Sequence, residues 1–351
     1  MDTRPPARSG HAVTDPANWT GTQLSERSDW LITLTDSQIS NLTDLARRAC
    51  KEIGDDPNNL LQLSRADLSS DSTTPLFDAV YQLLKNGPGI ALIRGLPIDN
   101  LRPIEAATIY WAIGKHFGQI TANNPQGDML GHVVNLGKDM NDPTHRAYQT
   151  KSAIDFHNDQ CDAVGLLCRQ TSQSGGLSKV VSSVAVYNAM LKAQPDAVRI
   201  LSESFYWTMH GEIMPGQDNF YQSPVFNFVD GFLCTSFGPV HIRKGHQLDG
   251  VPDITDEQLE AISLAEHTCE ALHHSMELQR GDMQFLNNSV VLHTRTGFED
   301  WPELEKRRHL WRLWLTVPDI RPPSPYQAHW RNERGIPIPI EKQRVVLNGF
   351  D

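Results

Sequence analysis

What this 351-residue chain lacks narrows it first. It has no C-x-x-C pair. Its five cysteines, Cys50, Cys161, Cys168, Cys234 and Cys269, are odd in number and widely spaced, which argues against a disulfide framework or a cysteine-built zinc site and for a reducing compartment. No apolar run approaches the ~20 residues a bilayer crossing requires. The first ten residues, Met1 to Gly10, contain no apolar core, so no secretory signal is expected and the expected location is the cytoplasm. There is no basic block: 31 Lys and Arg face 42 Asp and Glu, a net charge of −11, which excludes nucleic acid and membrane surface as expected partners. Internal repeats and low-complexity tracts are also missing. What remains is 39% hydrophobic and 8% aromatic residues, enough for a packed core in one large domain or two.

Residues 1–28 are polar and rich in Pro, Ser and Thr, and read as a flexible N-terminal segment. Thr35 to Gln38 is a capping box, with Leu34 and Ile39 as its hydrophobic staple, and opens a helix that Gly54 can end. A second helix follows Thr74-Pro75, with Leu76, Val80, Leu83 and Leu84 inward and Gly87 as its stop. Gly89 to Gly95 reads as a buried strand, and Pro103 opens a third helix to about Phe117. Residues 119–152 hold many Gly, Asn, Asp and Pro residues, and read as a long irregular, lid-like insert or an ordinary surface excursion. Beyond residue 157 the pattern is mainly β: strands near Val164–Cys168, Val180–Ser183, Met283–Leu286, Val290–His293 and His309–Thr316, and a hairpin turning at Asp230-Gly231. Helical inserts are expected near Val186 to Leu201 and after a second capping box, Thr255 to Gln258. Short strands with helices to one side suggest an α+β protein with a jelly-roll core and flanking helices. We read 29–330 as a single domain and 331–351 as a C-terminal tail; the prolines from Pro318 through Pro322, Pro323, Pro325 and Pro337 to Pro339 suggest a segment that wraps the surface.

His157-Asn158-Asp159 places two metal-ligand side chains two residues apart, on one face if the backbone is extended. His293, in Val-Val-Leu-His-Thr-Arg-Thr, is the candidate third ligand. Two histidines and a carboxylate are the facial donor set of non-haem iron oxygenases. Among 14 histidines such a pair can equally be a hydrogen-bonded surface or core feature. Cys161, close by, reads as a small buried hydrophobe rather than a ligand.

Downstream, Arg308 and Arg312 share a face with Leu310 and Trp314 if the stretch Arg307–Leu315 is a strand. Buried guanidinium groups require anions, and the planar fork suits carboxylates. The pair therefore implies two carboxylates, or one ligand and one internal acid; surface arginines on an edge strand are the plainer alternative. Gly175-Gly176 permits a tight turn and lets Ser178 present a hydroxyl.

The ordered set His157-x-Asp159, Gly175-Gly176-x-Ser178, Gly281-Asp282-Met283-Gln284-Phe285-Leu286-Asn287-Asn288, His293 and Arg308-x-x-x-Arg312 resembles the taurine-dioxygenase (TauD/TfdA-like) family of Fe(II)/2-oxoglutarate-dependent oxygenases, including a clavaminate-synthase-like branch, over about residues 75 to 330. The resemblance implies a double-stranded β-helix. It implies that His157, Asp159 and His293 are the catalytic Fe(II) ligands, that Arg308 and Ser178 bind 2-oxoglutarate, with Ser178 where the family often has Thr, and that Arg312 meets an acidic group of the substrate. Asn287 and Asn288 are either supports of the ligands or turn residues. The implied reaction uses O2 to oxidise a C–H bond of a small carboxylate-bearing substrate, an amino acid or derivative, by hydroxylation, desaturation or ring closure in specialised metabolism, and releases succinate and CO2. The alternatives from other classes are a non-catalytic cupin-like metal or small-molecule binding protein and a zinc hydrolase using the same three ligands. Assembly into a homo-oligomer stays open.

Overall fold

The structure, a computed structural model, describes residues 4–137, 149–209, 218–331 and 338–349. Its centre is a seven-stranded sheet. In order across the sheet run Leu31–Thr33, Ile90–Arg94, Met283–Asn287, Ala163–Gln170 and His309–Thr316, and the last of these also pairs with Gln119–Thr121 and Gly131–Val134. Only the first pair is parallel.

Side chains alternate across this sheet because successive residues of a strand point to opposite faces. Ile90 and Leu92, Val164 and Cys168, Leu286, and Leu310 and Trp314 contribute to one apolar cluster. Ala91 and Ile93, Ala163 and Leu167, Met283 and Phe285, and Trp311, Leu313 and Leu315 contribute to the other. The second cluster is completed by the helices Asp36–Ile53, Thr74–Lys85 and Pro103–Phe117. The first is completed by a smaller antiparallel sheet, in the order His274–Met276, Ser178–Ser182 and Val291–Arg295, and by the helices Ser183–Ala193, Pro195–Leu201 and Asp256–Leu272. Two sheets closing on a shared interior, with helices outside, make the expected jelly-roll core.

Local chemistry sets the element ends. Thr35 Oγ1 accepts from the Gln38 N–H at 3.3 Å, while Gln38 Oε1 accepts from the Thr35 N–H at 2.9 Å. Gly54, at φ 74°, ends that helix. Thr255 and Gln258 repeat the box. The third helix runs from Pro103 to Phe117 as expected. Asp230 and Gly231, at φ 49° and 80°, turn the hairpin between Phe226–Val229 and Phe232–Thr235.

Four expectations differ from the structure. The N-terminal segment is packed where it is described: Val13, Ala17, Trp19 and Leu24 are buried, Trp19 Nε1 donates to the Pro88 carbonyl at 2.8 Å, and Val13 pairs through its backbone with the Asn188 side chain. A few apolar anchors outweigh the polar average. Phe77, not among the expected inward residues, is fully buried, while Leu83 is half-buried and packs against the same cluster. The 119–152 insert contains the strands Gln119–Thr121 and Gly131–Val134, which Gly and Pro composition concealed; its residues 138–148 lie outside the described residues. The proline-rich tail does not merely coat the surface: Ile320, Tyr326 and Val345 are buried, and Gln327 Nε2 donates to Ser289 Oγ at 2.7 Å. Pro337 lies outside the described residues.

The tail is also tied to the main sheet by a histidine pair. His132 Nε2 lies 3.0 Å from the Val346 carbonyl, and His132 Nδ1 lies 2.8 Å from His309 Nε2. A carbonyl can only accept, so in the neutral pair His132 donates to Val346 and accepts from His309. Burial, with His132 and Arg169 adding repulsion, pushes the His309 ring down to about 3. An unfolded histidine titrates near ~6.5, so the stability gained by keeping His309 neutral is complete above that pH and is lost as pH falls toward 3. The melting temperature is expected to drop between pH 7 and pH 5, with a shallower slope in His309→Gln. Parallel slopes for the two proteins, read by thermal denaturation across that range, would remove the pair as a source of acid sensitivity.

Candidate active site

His157 is not on a regular strand. It forms an isolated antiparallel bridge with His293: the His157 N–H donates to the His293 carbonyl at 3.1 Å, and the His293 N–H donates back at 3.0 Å. This reciprocal pairing sets the two rings side by side, with centroids 4.5 Å apart. Asp159, two residues on, meets them from the third side. Its Oδ1 lies 4.0 Å from His157 Nε2 and its Oδ2 lies 3.8 Å from His293 Nε2. One donor atom from each of the three lies within 4.8 Å of the others. The sequence-expected ligand set therefore converges, from segments more than a hundred residues apart.

The donor set suits a divalent metal. His157 Nδ1 lies 2.8 Å from the Asp155 carbonyl, so it carries the proton and leaves the Nε2 lone pair toward the cluster. Asp159 Oδ2 is buried and accepts no hydrogen bond, a state that costs free energy unless a cation meets it. Burial opposes ionisation of Asp159, but Arg312 and the two histidines outweigh it and hold the carboxyl down to about 2. Burial, aided by His157, pushes His293 down to about 3. Asp159 is thus held as an anion and His293 as a neutral imidazole, protonation states a metal requires.

Arg308, Leu310 and Arg312 line the pocket beside these ligands together with Ser178. The two arginines differ. Arg312 Nε donates to Asn123 Oδ1 at 2.9 Å, one terminal nitrogen donates to Asp159 Oδ1 at 3.3 Å, and its guanidinium lies over the Trp314 ring. It meets the internal acid that one of the two sequence readings anticipated. Arg308 is as deeply buried, and its guanidinium lies over the Phe298 ring, yet among the described residues it has no ion pair. Burial lowers its pKa. Its backbone N–H donates to Asp300 Oδ1 at 2.7 Å, which fixes the start of the strand. Gly176, at φ 69°, passes so close that a Cβ there would sit 3.0 Å from Arg308 Nε; the turn must be glycine for this side chain to fit. Ser178 Oγ donates to Gln284 Oε1 at 3.3 Å. A buried guanidinium beside a hydroxyl, with no protein carboxylate on it, fits an anionic ligand such as the far carboxylate of a keto diacid.

Several contributors were not singled out from the sequence. Arg295 lines the pocket and donates to the carbonyls of Ser152 and Thr150, each at 2.5 Å, which clamps the segment that leads to His157. Its place two residues after His293 on one strand was the available signal. Asn123 had none. Asn158, the middle residue of the motif, is bonded on both sides: its side-chain N–H donates to the Asn288 carbonyl, and its Oδ1 accepts from the Phe237 N–H at 2.6 Å. Asn288 Nδ2 donates in turn to the Cys161 carbonyl at 2.9 Å. Asn288 is thus the support of the ligand segment, while Asn287 Oδ1 accepts from the Ser289 N–H at 3.0 Å and shapes the turn. Because this frame sets the spacing of the ligands, Asn158→Ala should weaken binding of a probe metal such as Co(II) about tenfold, the scale of lost ligand support. Anaerobic titration of folded variant and wild type checks this; equal affinities would make the frame a matter of folding alone.

The comparisons agree with this geometry. Residues 51–314 match the model of the family described as taurine catabolism dioxygenase TauD, TfdA family. FR-33289 synthase of Streptomyces rubellomurinus is 27% identical over 318 residues, covering 88% of this chain and 91% of that protein. The taurine hydroxylase-like protein SAT17 of Stachybotrys chartarum is 25% identical, covering 86% and 79%. Among solved structures, an asparagine oxygenase in complex with Fe(II), 2S,3S-3-hydroxyasparagine and succinate has a TM-score of 0.66 at 16% identity, covering 82% of this chain and 94% of its own. The non-haem iron oxygenase OrfP in complex with Fe and alpha-ketoglutaric acid has a TM-score of 0.63, also at 16% identity and with the same coverage. With three quarters of its length matched, the chain belongs to the TauD/TfdA family and is an Fe(II)/2-oxoglutarate-dependent dioxygenase.

Proposed function

We propose that His157, Asp159 and His293 hold Fe(II), that Arg308 and Ser178 bind the far carboxylate of 2-oxoglutarate, and that Arg312 meets a carboxylate of the substrate. The observation that carries this reading is the convergence of the three donors on one point, with His157 and His293 lining the same pocket as Ser178, Arg308 and Arg312. Iron with 2-oxoglutarate and O2 supplies oxidation of a C–H bond, with release of succinate and CO2. The protein's share is orientation. Arg308 and Ser178 fix one end of the cosubstrate so that its keto-acid end faces the ligands. Leu310, Val133 and Leu166 make the remaining wall apolar and keep water out.

The substrate we favour is a small amino acid or derivative, and the outcome we favour is hydroxylation ahead of desaturation or ring closure. The asparagine oxygenase bound to 3-hydroxyasparagine and OrfP bound to (3S)-hydroxy-L-Arg support both choices. A relative named as the synthase of one compound supports a role in specialised metabolism. The five cysteines, all free, support a reducing, cytoplasmic setting; among the described residues no helix is long and apolar enough to cross a membrane.

Arg312 has two tasks in this reading, since its guanidinium already donates to Asp159 Oδ1. A substrate carboxylate shares or takes over that group. Arg312→Ala should therefore weaken amino-acid binding and also lower the melting temperature of the metal-free protein, because loss of one partner leaves the buried Asp159 charge uncompensated, a cost on the order of 3 kcal/mol. A variant with unchanged amino-acid affinity would remove Arg312 from the substrate site.

The decisive measurement is anaerobic addition of Fe(II) and 2-oxoglutarate to the protein, read as the weak visible charge-transfer band of a chelated keto acid. Wild type should show it. His157→Ala should lose it, and Arg308→Ala should need far more 2-oxoglutarate to reach it. An iron-loaded, folded wild type with no band would sink the ligand and cosubstrate assignments together.

A further inference from the structure

Gln284 is a polar residue in the middle of a buried strand. Met283, Phe285 and Leu286 around it are apolar, and its own exposure is 0%. In the sheet register Gln284 stands between Leu92 and Leu166, and Leu166 stands beside Arg312. These four form one row across the large sheet. Side chains in one row of a sheet share a face, so Gln284 faces the interior, the side on which Leu166 and Arg312 line the pocket.

From there it reaches the smaller sheet. Gln284 Oε1 accepts from Ser178 Oγ at 3.3 Å, and its Nε2 lies 3.1 Å from Met276 Sδ. Ser178 and Met276 are register partners in that sheet. The amide therefore bridges the two sheets behind the pocket. A thioether is a weak acceptor, so the amide N–H groups are held far less firmly than its oxygen.

A serine hydroxyl carries a single proton, and here it points at Gln284. A carboxylate bound at Ser178 needs that same proton. An amide can resolve the conflict without leaving its place, because a half-turn of its end exchanges oxygen for nitrogen. The N–H then donates to Ser178 Oγ, and the hydroxyl proton is directed into the pocket.

We propose that Gln284 is a positioning residue for 2-oxoglutarate, turning its amide to make Ser178 a donor to the cosubstrate's far carboxylate. The inference rests on the assignment of Ser178 and Arg308 given above. Neither an apolar side chain nor a carboxylate can replace it: methionine orients nothing, and glutamate holds the Ser178 proton and places a negative charge behind the ligand.

The test is a double-mutant cycle on Fe(II)-loaded protein under anaerobic conditions, with 2-oxoglutarate titrated and the charge-transfer band as readout. Gln284→Met, which keeps the volume, should weaken 2-oxoglutarate about tenfold, the scale of one oriented hydrogen bond, and leave Fe(II) affinity unchanged. Gln284→Glu should weaken it further still. In a Ser178→Ala background, Gln284→Met should cost nothing more. The inference is overturned if Gln284→Met binds 2-oxoglutarate as wild type does, or if its full loss persists in the Ser178→Ala background. Wild-type affinity in Ser178→Ala alone would instead overturn the Ser178 assignment, and this inference with it.

Discussion

A buried carboxylate is the constraint from which the site follows. Asp159 sits at the base of an apolar interior, where an isolated anion is far more costly than in water. Arg312 meets one oxygen, and the two histidine rings stand against the carboxylate from the other side. The second oxygen is left without a hydrogen bond. One oxygen is committed to a guanidinium, and the other keeps a demand that a bound cation would meet. The same charge keeps the barrel interior from closing as a purely hydrophobic core, and Arg312, His157 and His293 are the pocket residues that stand against it.

The large sheet allows this by keeping its two faces chemically separate. His309–Thr316 carries Trp311, Leu313 and Leu315 to the helical side and Leu310, Arg312 and Trp314 to the interior. A slip of one residue in register would exchange the sets and put a guanidinium under the helices. Pairing with Ala163–Gln170 on one edge and Gln119–Thr121 and Gly131–Val134 on the other resists such a slip. The three helices on the outer face thus contribute to the chemistry indirectly, by making one register of this strand far more favourable than its neighbours.

Much of this was legible in the chain because it depends on local rules. The capping boxes at Thr35 and Thr255, the turn at Asp230-Gly231 and the helix from Pro103 are decided within a few residues. His157, Asp159 and His293 were legible through residue type and order. What was hidden depends on distant partners. The strands Gln119–Thr121 and Gly131–Val134 are weak alone and are strands only because His309–Thr316 offers its edge. Trp19 and Val13 look like isolated apolar residues until Pro88 and Asn188 are seen to receive them. The partner of Arg312 was open between an internal acid and a ligand, and no spacing rule can join residue 312 to Asn123 and Asp159.

The two arginines show how a fold gives two like charges different surroundings. Arg308 immediately precedes the strand that carries Arg312; both are buried, line one pocket and rest on aromatic rings. Their surroundings differ by what the neighbouring segments deliver. The segment that carries Asp159 passes under Arg312, and the loop that carries Asn123 closes on it. Beside the Arg308 guanidinium pass the glycine turn at Gly175-Gly176, the Phe298 ring and the strand of Ser178, and among the described residues none of them places a carboxylate in an ion pair with it. Arg308 therefore retains its demand for an anion, and it does so in a protein whose net charge of −11 otherwise repels one. The attraction is confined to the pocket, where the apolar walls leave little screening. In the proposed reading a dicarboxylate that reaches the pocket meets Arg308 at one end and the cluster of His157, Asp159 and His293 at the other, so its orientation follows from how separate segments meet around one pocket.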